Sequence, residues 1–206
     1  MTEQIPTFEL NEACTAHHEA GHMVVAAVNG LRLRPDGLSV DSRREGLCCY
    51  HKEPDGSPLS RERIIVSKFA GYYAEWRYRN EFGLLEKALS PELYFVFSSD
   101  GKEARKLSIE LSKGTWSNKE LPRSAPDIEN DLQQQSEKLI GQHWNVIRTI
   151  ADALLAKEWE NMKPLVTGTI WSNAAKAKYL SREEAVSILE CFSINAVCCS
   201  CPDCFD

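Results

Sequence analysis

Residues 11–29 read NEACTAHHEAGHMVVAAVN, and they contain the clearest structural pattern in the chain. Apolar residues recur in it at intervals of three and four, the period of one face of an α-helix. They are Ala20, Met23, Val24, Ala27 and Val28. Asn11 is a residue type favoured just before a helix, and Gly30 is one favoured just after it. We therefore predict a helix over residues 11–29 that buries one apolar face.

The same helix contains the motif H-E-x-x-H, as His18, Glu19 and His22. At 3.6 residues per turn, side chains four residues apart project about 40° apart, so both imidazoles lie on one face. Two imidazoles so placed can provide two ligands of a tetrahedral Zn²⁺ site, and the glutamate between them can take a proton from water. We predict His18 and His22 as zinc ligands and Glu19 as the catalytic base. His17 points about 100° away from His18, and we expect a packing or solvent-facing role for it.

The third zinc ligand is left open by this reasoning. A catalytic zinc keeps three protein ligands and one open position, so one more residue must come from elsewhere in the chain. His51 and His143 are candidates, and so is any carboxylate. The alternative to a metal site is a helix whose histidines are exposed or hydrogen-bonded.

Three segments resemble the zinc peptidase domain of FtsH-type, membrane-bound AAA proteases. The run HHEAGHMVVAAVNG at residues 17–30 is similar to the zinc helix of that family. The run FAGYYAE at residues 69–75 is similar to its second signature, A-G-x-x-A-E, and SDGKEA at residues 99–104 to its third-ligand segment. The resemblance covers about residues 11–111, and it implies a zincin-like helical metallopeptidase domain.

The resemblance also implies Asp100 as the third zinc ligand. Asp127 and Asp131, which begin another predicted helix, are the alternatives to it. An aspartate at the start of a helix is also an ordinary first-turn carboxylate, stabilised by the helix dipole. As a ligand, Asp100 would leave the capping of its helix to Ser98 or Ser99.

Three residues of the second segment have local interpretations. Gly71 inside a helix costs about 1 kcal/mol relative to alanine, so we expect a close backbone approach there. Ala74 is expected to mark close helix packing. Glu75 is either a group that orients a ligand imidazole or a surface carboxylate.

The remaining pattern predicts a mainly α fold with a small β-hairpin. We expect residues 38–41 and 47–51 to form the hairpin around a turn at Gly46. Further helices are predicted over 60–78, 100–111 and 126–158, and a capping box at 181–184 precedes a short helix. We assign residues 1–190 to one metallopeptidase-like domain, with its third-ligand region at about 98–112 and its C-terminal helices at about 126–190. Residues 191–206 form a Cys-rich tail.

Composition excludes several classes of function. The chain has 206 residues, 43% hydrophobic and 26% charged, which is typical of a globular protein. The net charge of −6 argues against a nucleic-acid partner. We find no apolar run long enough to span a membrane and no signal-peptide pattern, so we expect a cytoplasmic protein.

Eight cysteines are unevenly placed, with five in the last 16 residues. We expect mostly reduced thiols. Cys198, Cys201 and Cys204 have C-x-x-C spacing, which can bind soft metals, although a tail of incidental or redox-active thiols is the simpler interpretation. S-acylation of the cluster is another interpretation, and a metal- or redox-sensing role a further one.

The combined hypothesis is a zinc-dependent metalloendopeptidase. No P-loop motif occurs in the sequence, so we expect peptides or unfolded segments as substrates, or an unfoldase or regulatory partner acting in trans. The alternative is a catalytically weak, metal-binding regulatory or protein-interaction module. The oligomeric state stays open.

Overall fold

The computed structural model describes residues 7–50, 57–83, 98–113, 123–166 and 170–198, with side chains described from Glu12 onward. The elements are α1 Thr7–Val28, β1 Leu33–Asp41, β2 Gly46–Tyr50, α2 Pro58–Glu81, α3 Ser99–Lys113, α4 Ala125–Gln142, α5 Trp144–Leu155, β3 Glu160–Asn161, β4 Lys176–Leu180 and α6 Arg182–Cys191. The prediction of a mainly helical fold with a small β element is confirmed.

Helix α1 begins at Thr7, so the predicted N-cap at Asn11 is wrong. Residues 7–10 read TFEL and contain no helix breaker, and the helix therefore starts one turn earlier. Its C-terminus is as predicted, because Gly30 has a positive φ of 71° and its N–H donates to the carbonyl of Ala27 at 3.0 Å.

Helix α2 packs closely against α1. A Cβ atom at Gly21 of α1 would lie 2.6 Å from the Cβ of Ala74 and 2.7 Å from the carbonyl oxygen of Ala70. The two backbones therefore approach each other as only glycine permits, and the packing role predicted for Ala74 is confirmed. Helices α2 and α3 are each one to three residues longer at each end than predicted.

The predicted hairpin is part of a four-stranded antiparallel sheet with strand order β2-β1-β4-β3. The turn does not lie at Gly46, which begins β2. Asp41 forms the turn instead, because its Oδ1 accepts hydrogen bonds from the N–H groups of Arg43 at 2.8 Å and Glu45 at 2.9 Å. Arg44 in this turn has a φ of 73°.

The single long helix predicted over residues 126–158 is two helices, α4 and α5. The chain leaves helical geometry at His143, with φ −111° and ψ 18°. Gly141 weakens the helix just before this break. Both helices bury apolar faces, and α5 contributes Ile147, Ile150 and Leu154 to the core beside α1.

The C-terminal capping box is confirmed. Ser181 Oγ accepts a hydrogen bond from the N–H of Glu184, whose carboxylate accepts from the N–H of Ser181 at 3.1 Å. Beyond α6, the N–H of Leu33 donates to the carbonyl of Val197 at 2.8 Å, so this part of the predicted tail packs beside β1. Cys201 and Cys204 lie outside the described residues. No helix in the described ranges has both the length and the hydropathy needed to cross a bilayer.

Candidate metal centre

Helix α1 places His18 and His22 one turn apart on the side that faces α2. Their ring centroids are 4.7 Å apart and the rings meet edge to face, at 81°. Gly71 of α2 lies directly against both rings, since a Cβ there would be 2.6 Å from His22 Cε1 and 2.7 Å from His18 Cδ2. A close approach therefore does occur at Gly71, but it is made by two imidazole side chains and not by the backbone approach that the sequence predicted.

Asp100 completes a cluster with the two histidines. Its Oδ2 lies 3.2 Å from His22 Nε2 and 3.5 Å from His18 Nε2. Each of the three residues offers one potential ligand atom, and these atoms lie within 4.8 Å of one another. Such a group could hold a metal ion. Ser98 takes over helix capping, because its Oγ accepts a hydrogen bond from the N–H of Gly101 at 2.9 Å.

The other candidates for a third ligand lie elsewhere. Asp127 accepts a hydrogen bond from Ser124 Oγ at the start of α4, and Asp131 pairs with Arg123. His143 lies at the junction of α4 and α5. The cluster of His18, His22 and Asp100 is the one such group found in the described part of the chain, and His51 falls outside that part.

Both imidazoles are held from behind by α2. His22 Nδ1 lies 2.6 Å from the carbonyl oxygen of Ser67, and His18 Nδ1 lies 3.1 Å from Glu75 Oε2. Glu75 is buried and is held in turn by Arg79 at 2.7 Å, so it is not a surface carboxylate. With Nδ1 of each ring occupied, Nε2 is the atom that faces Asp100.

Lys68 is a member of the site that the sequence analysis did not identify. Its Nζ lies 2.9 Å from Asp100 Oδ1 and 2.9 Å from Glu103 Oε2. Lys68 precedes Gly71 by three residues and therefore shares its face of α2. This three-residue spacing is the sequence feature from which Lys68 could have been predicted.

The charged groups of the cluster shift one another's pKa values. Burial by itself would raise the pKa of Asp100, but His22, His18 and Lys68 hold that pKa well below its ordinary range. Burial lowers the pKa of His18, but hydrogen bonds with Asp100 and Glu75 raise it to about 10. Without a metal, Asp100 is therefore a carboxylate and His18 carries a proton, so a metal ion that binds here would release the proton of His18.

Glu19 lies under the first residue of β2. A Cβ at Gly46 would be 2.6 Å from Glu19 Cγ and 2.7 Å from its Cδ, so only glycine allows the strand to cover this carboxylate. Glu19 is 7% exposed. Burial raises the pKa of Glu19, and the neighbouring His18 and His22 oppose that increase.

A cleft of about 570 Å³ opens onto His18 and Glu19. The hairpin turn lines part of the cleft, and Trp171 lines it as well. Ser172 donates a hydrogen bond to Asp41, and this bond ties the segment around Trp171 to the hairpin. Residues 163–180 fell within the C-terminal helices predicted at about 126–190, but β4 Lys176–Leu180 lies there, and the part of the cleft around Trp171 was not predicted.

His17 has a packing role. Its ring stacks on Tyr78 with centroids 4.0 Å apart and lies 5.6 Å from the ring of Trp144. Its Nδ1 lies 2.8 Å from the carbonyl oxygen of Ala13. It therefore joins α1, α2 and α5 and does not face the cluster.

Neither a family model nor a curated protein matches this chain. The resemblance to the FtsH-type peptidase domain thus stays an expectation from the sequence motifs.

Proposed function

We propose that this chain is a zinc-dependent metalloendopeptidase with a zincin-like helical fold. The observation that supports this most strongly is the position of Glu19. Its carboxylate lies near His18, His22 and Asp100, whose ligand atoms converge. Glu19 and His18 also line an open cleft. A purely structural zinc site would need no such carboxylate.

The residues present fit a zinc ion. Two imidazole nitrogens and one carboxylate oxygen are ligands that zinc accepts, and three protein ligands leave a position open. Ser67 and Glu75 engage the Nδ1 atoms, so each ring presents Nε2 to the shared space. His18, His22 and Asp100 would hold the ion.

The reaction would depend on proton transfer by Glu19. Zinc bound at this site would act as a Lewis acid and would lower the pKa of water near neutrality. Glu19 would take a proton from the attacking water and deliver it to the amine of the leaving segment. Its burial raises its pKa, which makes Glu19 a stronger base for the first of these transfers. The cleft beside the hairpin would bind the peptide on either side of the scissile bond.

Zinc content and peptidase activity of the wild type and of Glu19→Gln test the proposal. We expect one zinc per chain in both proteins, because Glu19 is not a ligand. We expect the kcat/KM on a quenched peptide library to fall about 100-fold or more in Glu19→Gln. Glu190→Gln is the matched control, since Glu190 is exposed on α6, and it should leave the rate unchanged.

Two outcomes would contradict the proposal. A wild-type protein that binds no zinc has no metal centre. Stoichiometric zinc with equally low rates in the wild type and Glu19→Gln would favour the alternative, a metal-binding regulatory or protein-interaction module.

The proposal also covers the substrates, the location and the partners of the protein. We infer peptides or unfolded proteins as substrates in the cytoplasm, with an unfoldase or regulatory protein supplying unfolding where it is needed. Casein, which is loosely folded, should be cleaved faster than a tightly folded protein of similar size. Equal rates on both would contradict the inferred substrate class.

A further inference from the structure

Helix α2 contacts the back of every member of the metal cluster. Ser67 and Glu75 contact the two imidazoles, as described above. Lys68 of the same helix contacts Asp100. Outer contacts of this kind orient metal ligands and affect metal affinity about 10- to 100-fold. Lys68 therefore supports the aspartate in the way that Ser67 and Glu75 support the two imidazoles.

We propose that Lys68 is a positioning residue that keeps Asp100 a one-oxygen ligand. It does so by holding Oδ1, which leaves Oδ2 alone to face the ion. This inference rests on the proposed zinc centre.

The two oxygens of Asp100 have different partners. Oδ1 lies 2.9 Å from Lys68 Nζ, whereas Oδ2 lies 3.2 Å from His22 Nε2 and 3.5 Å from His18 Nε2. A carboxylate without the ammonium group can turn both oxygens toward a cation, as bidentate carboxylates do. The second oxygen would then fill the position that water and substrate need.

Lys68 is placed for this task by its burial and by its second partner. Its side chain is 15% exposed, and its Nζ also lies 2.9 Å from Glu103 Oε2. A buried ammonium group needs such partners, because it has lost most of its water. Glu103 also offsets a positive charge that would otherwise repel the cation beside Asp100.

The absorption spectrum of the Co²⁺-loaded protein distinguishes this role from a merely structural ion pair. The d–d bands of Co²⁺ are intense in four-coordinate sites and weaken as the coordination number rises, so the spectrum reports the number of ligands. Lys68→Met removes the ammonium group and keeps the length of the side chain. We expect the intensity of its d–d bands to fall several-fold relative to the wild type.

Two variants serve as controls. Lys68→Arg keeps a positive charge and donors within reach of both carboxylates, and it should restore the wild-type spectrum. Lys106→Met makes the same chemical change on the exposed face of α3 and should leave the spectrum unchanged. If circular dichroism shows Lys68→Met to be unfolded, Lys68→Leu replaces it, since it also has no donor for Oδ1.

The outcomes separate this inference from the function on which it rests. A folded Lys68 variant with the wild-type spectrum overturns the role of Lys68 and leaves the metal centre intact. Loss of Co²⁺ binding in a folded Lys68→Met variant also overturns this role, because a second oxygen from Asp100 would add a ligand and the lost ammonium group would no longer repel the cation. A wild-type protein that binds no Co²⁺ overturns the metal centre, and the role of Lys68 with it.

Discussion

Two glycines stand where a methyl group would enter the candidate metal centre. Gly71 faces the two imidazoles, and Gly46 faces the carboxylate of Glu19. Neither glycine has a positive φ, so backbone conformation does not require glycine at either position. The requirement is one of space, and it comes from side chains on a different element.

Gly71→Ala should damage the metal centre while sparing the fold. The new Cβ would overlap His22, whose ring must turn away and lose its orientation toward Asp100. We expect zinc affinity to fall about tenfold or more, measured by competition with a chromogenic chelator. Gly141→Ala is the control, because its Cβ would meet nothing nearer than Arg77 Nη1 at 3.8 Å. Equal zinc affinities in the two variants would contradict the steric argument.

Asp100→Ala should lose the metal as His22→Ala does. Each variant removes one of three converging ligand atoms, and two remaining ligands hold zinc poorly. Metal analysis after gel filtration measures the effect, with Asp127→Ala as the control that retains zinc. Zinc kept by Asp100→Ala but lost by His22→Ala would show that the third ligand is another residue.

Helix α6 depends on the capping box at its N-terminus. Ser181→Ala removes the acceptor for the N–H of Glu184, and the free energy of unfolding should fall by about 1 kcal/mol. Urea denaturation measures the loss. Ser187→Ala changes an exposed serine within the same helix and should be nearly neutral. A similar loss in both variants would contradict a specific contribution of the Ser181 cap.

Sequence patterns predicted elements whose signals are local. The period of α1, the capping box of α6 and the hairpin all follow from residues close together in the chain. The strand β4, with the sequence KAKYL, was not predicted because its polar alternation becomes meaningful only when it pairs with β1. The break at His143 was missed for a related reason, since apolar spacing continues across it.

Some residues of the candidate site could likewise be predicted from local sequence patterns, and others could not. His18, Glu19 and His22 lie within five residues, and their spacing alone predicted a shared face. Asp100 came from a resemblance, because no periodicity connects residues 78 positions apart. Lys68 and the part of the cleft around Trp171 depend on how α2, α3 and the sheet pack together, which no local pattern encodes.

At the scale of the whole molecule, metal binding should stabilise the fold. The proposed ligands come from α1 and α3, so an ion that binds only the native state would add to the free energy of unfolding. We expect about 4 kcal/mol at a zinc concentration 1,000 times the Kd, seen as a higher Tm. EDTA should reverse the increase, and His22→Ala should not show it. A Tm that is independent of zinc would contradict metal binding by the native state.

One helix, α2, contacts both histidines and the aspartate of the candidate centre. This arrangement has a mechanical consequence. Ser67, Lys68 and Glu75 span little more than two turns of α2, so they move as one rigid segment. A slide or tilt of that segment would release all three supports together. A bound metal ion would then be lost in a single cooperative step, and the ligands would not lose their supporting contacts one after another.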